Sequence, residues 1–334
     1  MEKVDKEHIE KMRILQIIRK NALNMNWKCM VDGCPEKTIN SHLLQRHGVL
    51  DNIIEDGHMY ELRVRDIFKW SKDVPPVVFK KVGLNDAISY PLFCNHHDTE
   101  LFLDIEKNNP DVDDYRSQLL FSYRSVCAEM RKKEIEIDVN QRQLRSRILN
   151  LDSFYLKECI RGLEIGIKDL KFYEEQLLNE ISTPKNLFTF EVAHFPFIPI
   201  YASASFSFET DKDKIESQNS VWDSAFIHIL PRKSDLCIII GYHKEYVNDR
   251  LKTFVGKWLH ADKNTLGLLL TDLFSQRIEG FGMSEKLYQS MDEENIERFY
   301  EFQRKSIENY NMALEPGFNL FEGGCNLNCV KACS

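Results

Sequence analysis

The chain has 334 residues, 43% of them hydrophobic and 29% charged, with a net charge of −8. That balance describes a protein able to bury a core, and its acidity argues against a general nucleic-acid coat while leaving room for a local basic face. With no signal-peptide pattern and no uncharged run of eighteen or more apolar residues, the expectation is a cytoplasmic protein with no membrane partner.

Residues 6–24 read as a helix, because Ile9, Met12, Leu15, Ile17 and Ile18 recur at helical spacing between charges. We take 1–26 as this N-terminal helical segment. Residues 27–110 form the next unit, rich in cysteine and histidine. Its middle, with Pro75-Pro76, Gly83 and Pro91, predicts loops and short strands. Asp98 to Glu106 predicts an amphipathic helix directly after Cys94-Asn-His-His97.

Residues 111–183 predict a long antiparallel helical hairpin, coiled-coil-like, serving as a spacer. Its first arm carries Leu119, Tyr123, Val126, Met130, Ile137, Leu144 and Leu151 at heptad-compatible offsets. The second carries Leu156, Ile160, Leu163, Ile167, Leu170, Leu177 and Ile181, interrupted by Glu174. Asp152-Ser153 offers a turn and a helix cap, and Pro184 ends the second arm. Heptad stripes suit a partner helix, so another protein or a second copy of the chain is expected on the hairpin. The run Asn140 to Arg147, with Arg131-Lys132-Lys133, can also track a phosphate backbone, although its interspersed acids equally suit a solvated helical face.

From Leu187 the pattern alternates with period two. Residues 203–208, 225–230 and 236–240 read as strands, and Thr265–Gln276 and Asp292–Asn311 as helices. Residues 184–322 are therefore an expected mixed α+β domain, and the whole chain is of the α+β class. The tail, 323–334, repeats Cys325, Cys329 and Cys333 every fourth residue. It reads either as a disordered terminus or as a metal-binding helix face.

Nine cysteines in a chain this long are not a disulfide framework; clustered ones point to metal, and Cys127, Cys159 and Cys237 to the core. The clustered set is Cys29-x4-Cys34 and Cys94-x2-His97, three thiolates and one imidazole, a tetrahedral zinc shell. His96 can replace His97, but the C-x2-H spacing at a helix start favours His97. His47, His58 and His228 are read as ordinary structural residues.

Cys29/Cys34, Ser41-His42 and Phe93-Cys94-x-x-His97-Asp98 together resemble the treble-clef arrangement of HNH (ββα-metal) endonucleases, over about residues 27–105. The resemblance implies structural zinc on Cys29, Cys34, Cys94 and His97. It implies a general base at His42, a catalytic Mg²⁺ or Mn²⁺ on Asp98, and Asn85 as the residue that orients the histidine. It implies nucleic acid as partner, and such multidomain bacterial proteins occur in antiviral, anti-phage defence. Ser41 stands where the family usually has an acid that binds the catalytic metal. From the residues alone, His42 is equally a surface or supporting histidine, and Asp98 is also what a helix N-terminus favours. The expected function is a metal-dependent nuclease, a hydrolase; the competing one is a non-catalytic zinc scaffold for protein interaction.

Overall fold

The alternating runs of the C-terminal half become the centre of the molecule. The computed structural model describes residues 6–66, 74–107, 110–209, 221–309 and 314–322. Strands β5 (Phe188–Pro196), β6 (Ile200–Phe206), β7 (Ala225–Pro231) and β8 (Asp235–His243) join an antiparallel seven-stranded sheet. The β7 and β8 runs are apolar on both sides because both sheet faces are covered. In β7, Phe226 and Leu230 enter one core, while Ala225, Ile227 and Ile229 enter the other. The second core is roofed by α5 (Asp249–Leu259), α6 (Lys263–Asp272) and α8 (Glu293–Glu308), numbered past the short α7 (Glu285–Gln289). The last long helix ends at Glu308 with Asn309 as its C-cap, and Cys325, Cys329 and Cys333 lie outside the described residues.

The hairpin is α3 (Tyr115–Arg145) and α4 (Ser153–Ser182). Asp114 caps α3 by accepting the Ser117 N–H, and Asp152 caps α4 by accepting the N–H groups of Phe154 and Tyr155. The heptad expectation for α3 is not what organises it. Residues 117–128 are all buried, as in a helix enclosed on every side rather than one with a single seam. The chain therefore uses this arm as a core element, wedged between the sheet, α4 and the cysteine-bearing unit, and not as a spacer. Beyond Met130, Ile135 and Val139 are buried in place of Ile137 and Leu144, and Leu151 is outside the helix. Ile135 and Val139 meet Ile18 and Ala22 of α1 (Lys6–Leu23), while Ile17 is exposed. On α4 the interrupting Glu174 is buried and paired with Lys171 at 2.5 Å.

Half of the cations in the basic run are paired within the chain. Arg131 is buried, donates to the Lys28 carbonyl at 2.7 Å and stacks on Trp27. Lys132 pairs with Glu129 and Glu279, and Arg142 with Asp138.

Inside the first core, His228 stands between two hydroxyls, Ser203 Oγ at 2.9 Å from Nδ1 and Ser122 Oγ at 3.3 Å from Nε2. Burial pushes its pKa down to about 3, from 6.5. The unfolded imidazole takes up a proton below 6.5 and the native one does not, so native stability falls as pH drops through that interval. Between pH 6.5 and 5 this one residue removes about 2 kcal/mol. In urea titrations, the destabilisation of His228→Gln relative to the wild type should shrink by that amount from pH 7 to pH 5. A gap that stays constant would reject the account.

The cysteine-bearing unit holds two pairs of strands. β1 (Asn40–His42) and β4 (Ser89–Pro91) pair antiparallel, with His42 opposite Ser89. Between them in sequence lies a second hairpin, β2 (His58–Val64) and β3 (Val77–Gly83), which runs into the large sheet. The sheet order is β3-β2-β9-β6-β7-β8-β5, with the short β9 (Phe281–Met283) bridging β2 and β6. Strands from both halves of the chain therefore share one sheet. Glu61 fastens the joint: it is fully buried, accepts from the Ile88 N–H at 3.0 Å and from Tyr201 Oη, and pairs with Arg63. Burial pushes its carboxyl above the usual range. Gly282 leaves room for this, since a Cβ there would meet the Tyr201 ring at 2.3 Å.

Candidate metal centre and the groups around His42

Cys29 and Cys34 sit on a tight turn closed by local hydrogen bonds. Cys34 N–H donates to the Val31 carbonyl and Cys29 N–H to the Glu36 carbonyl, both at 3.0 Å. Gly33 takes φ +76°, a left-handed conformation that favours glycine. The turn is tied to the end of β4 by Met30 N–H to the Leu92 carbonyl at 3.0 Å and Ile39 N–H to the Phe93 carbonyl at 2.8 Å. Just beyond, Cys94 is the N-cap of α2 (Asn95–Leu101), which places His97 one turn along on the same side. This helix is shorter than the expected 98–106 segment and starts earlier, so both residues belong to its opening.

The four side chains converge. Cys29 Sγ lies 3.3 Å from His97 Nδ1, Cys94 Sγ 3.4 Å from the same nitrogen, and Cys34 Sγ 3.9 Å from Cys94 Sγ. All the donor atoms lie within 4.8 Å of one another. Tetrahedral Zn²⁺, with Zn–S near 2.3 Å, sets edges of about 3.8 Å between sulfurs and about 3.6 Å between sulfur and nitrogen. The cluster can therefore hold a metal ion, and its donor set is consistent with structural zinc. His96, the alternative ligand, is exposed and pairs with Glu100 at 3.2 Å. Burial pushes the Cys29 thiol up to about 11, while the His97 backbone N–H holds Cys94 below the usual thiol range. A divalent cation removes the cost of burying thiolates.

His42 ends β1 with its ring half-buried. Arg46, in the turn that follows, donates from Nε to His42 Nε2 at 3.3 Å and from Nη1 to Asn85 Oδ1 at 2.9 Å. Asn85, on a short 3₁₀ turn over Leu84–Asp86, thus reaches His42 through Arg46. Asp98, in the first turn of α2, lies within electrostatic reach of His42. Its Oδ1 is buried with no hydrogen-bond partner. Burial pushes His42 down to about 4, helped by the Arg46 and Arg124 charges and opposed by the Asp98 carboxylate. The imidazole is therefore neutral near pH 7. Ser41 faces the other way: it is fully buried, and its Oγ accepts the Phe93 N–H at 3.4 Å.

Two arginines near the histidine were not anticipated. Arg46 carries no sequence signal beyond its nearness to His42. Arg124 comes from α3, outside the cysteine-bearing unit; it is 1% exposed, stacks at 4.0 Å over Phe102 and pairs with Glu106, while its Nε and Nη2 have no hydrogen-bond partner.

Among the described residues no helix is long and apolar enough to cross a membrane. Comparison with protein-family models, curated proteins and solved structures gave no match for the chain.

Proposed function

We propose that residues 27–105 form an HNH-like, treble-clef module that hydrolyses phosphodiester bonds with the help of a divalent cation. One observation carries the reading: a β1–β4 pair leads into α2 around the Cys29, Cys34, Cys94, His97 cluster, with His42 ending β1 and Asp98 opening α2 within electrostatic reach of each other. In this reading zinc is structural. His42, neutral at pH 7, takes a proton from a water molecule whose oxygen then adds to phosphorus, and the leaving oxygen departs with the bonding electron pair. The unpartnered Oδ1 of Asp98 fits a Mg²⁺ or Mn²⁺ ligand. A cation bound there would supply positive charge to the phosphate and the leaving oxygen. Ser41 is committed to the backbone of Phe93, so Asp98 would be its main protein ligand, with water and phosphate oxygens completing the shell. In a bacterial anti-phage role, the setting expected for multidomain proteins with such a module, the substrate would be foreign nucleic acid.

A second reading, a zinc scaffold that docks on another protein, is favoured by the tip of the hairpin. Ile148, Leu151, Phe154 and Tyr155 are all exposed there, Phe154 by 72%, and such clusters mark interaction surfaces. Incubating the zinc-loaded protein with plasmid DNA and with a structured RNA separates the two. Cleavage that requires added Mg²⁺ or Mn²⁺ and stops with excess EDTA is expected. Both substrates surviving intact at micromolar protein would leave the scaffold reading.

A further inference from the structure

The bond between Arg46 and His42 has only one possible direction. A guanidinium carries donors and no acceptor, so Arg46 Nε–H donates and His42 Nε2 accepts, at 3.3 Å. This fixes the tautomer: Nε2 carries the lone pair and Nδ1 the proton. The lone pair that a base needs is therefore occupied. Arg46 is held only by neutral acceptors, His42 Nε2 and Asn85 Oδ1, and among the described residues no carboxylate pairs with it. Both present bonds join the guanidinium to an uncharged acceptor, whereas a phosphate brings full opposite charge and an oxygen pair that the guanidinium can bind in bidentate fashion. An arriving phosphate can therefore outbid both present partners.

Resting on the nuclease reading, we infer that Arg46 is a latch on His42: at rest it caps Nε2, and a phosphate anion of the nucleic-acid backbone draws it away and frees the base. Arg46 is then a positioning residue that ties exposure of the base to the presence of substrate. Asn85 holds the resting position, which gives this asparagine a role without contact to the histidine.

The latch can be read without any cleavage. Diethyl pyrocarbonate acylates an unprotonated, accessible imidazole nitrogen, and peptide mass spectrometry reports the rate at His42. In the wild type, inorganic phosphate should speed His42 acylation about tenfold over sodium chloride at matched ionic strength, the low end of what a hydrogen bond to a charged group is worth. Arg46→Ala should react fast in both salts and lose the phosphate effect. Asn85→Ala should react faster than wild type at rest and keep a reduced effect. A mere steric cover would give a fast Arg46→Ala but no acceleration by phosphate in the wild type. Phosphate that slows or does not change the wild-type rate overturns the latch, as does an Arg46→Ala rate no higher than wild type. Labelling and cleavage are scored separately, so the latch can fail while the nuclease reading stands, and the reverse.

Discussion

Replacing Cys94 by serine should remove the metal and unfold the module around it. Protein purified without chelator is expected to contain one zinc per chain by elemental analysis, and Cys94→Ser close to none. The serine hydroxyl is nearly isosteric, so the change tests ligation and not volume. Cys94 touches two other donors, His97 at 3.4 Å and Cys34 at 3.9 Å, and also caps α2. Its loss breaks the tetrahedron at the point where the turn, β4 and the helix meet. Binding free energy for structural zinc is on the order of 10 kcal/mol and is coupled to folding, which is comparable to the whole stability of a typical domain. Amide exchange in β1, β4 and α2 should therefore rise together. Cys159→Ser is the control, since that half-buried thiol lies outside the cluster; it should keep its zinc. Wild-type protein free of zinc would refute the assignment of all four ligands.

Cleavage should fall at least about 100-fold in His42→Ala, the lower range for loss of a general base, while zinc content and thermal unfolding stay at wild-type values. His42 lies outside the metal-binding set and its ring is only half-buried, so the side chain can go without removing the staple. Asp98→Asn should act in the same direction by replacing a charged oxygen ligand with a neutral one, and raising the Mn²⁺ concentration should restore part of its activity but none of that of His42→Ala. Undiminished cleavage by His42→Ala would remove the histidine from the chemistry even if the protein proves to be a nuclease.

The convergence of the four candidate ligands was readable in advance because each half-site is local. Four residues between Cys29 and Cys34, or two between Cys94 and His97, fix side-chain geometry through a single turn. The caps Asp114 and Asp152 act over two or three residues; Asp152, like the stop at Pro184, was legible for the same reason. What failed to announce itself is long-range. Nothing near Met59 says that β2 will pair with Phe281-Gly-Met283, a strand of three residues. The heptad reading of α3 weighed Leu119, Tyr123 and Val126 but passed over Gln118, Ser122 and Arg124. These polar residues are buried because the fold supplies partners: Gln118 donates to the Val112 carbonyl, Ser122 to that of Gln118, and Arg124 pairs with Glu106. A helix enclosed on all sides by neighbours from both ends of the chain has no one-dimensional signature. Arg46 was missed for a related reason, since its partner Asn85 is brought to it by the intervening β2–β3 hairpin.

The pairing of β2 with β9 also bears on how the chain is made. Tyr60 and Glu61 wait for Met283 and Gly282, more than two hundred residues further along. Contacts of such separation form late, because the entropy of closing the loop must first be overcome. While the ribosome is still translating, the β2–β3 hairpin emerges with the free side of β2 unpaired, and open strand edges template misassembly. The Cys29–His97 cluster closes a shorter loop, and all four of its residues are available once His97 has left the exit tunnel. The β1–β4 pair can form once Pro91 is out, and a metal ion held by the cluster would lock it in place. Such an ion would anchor β1, β4 and α2 beside the open edge long before the partner strand exists.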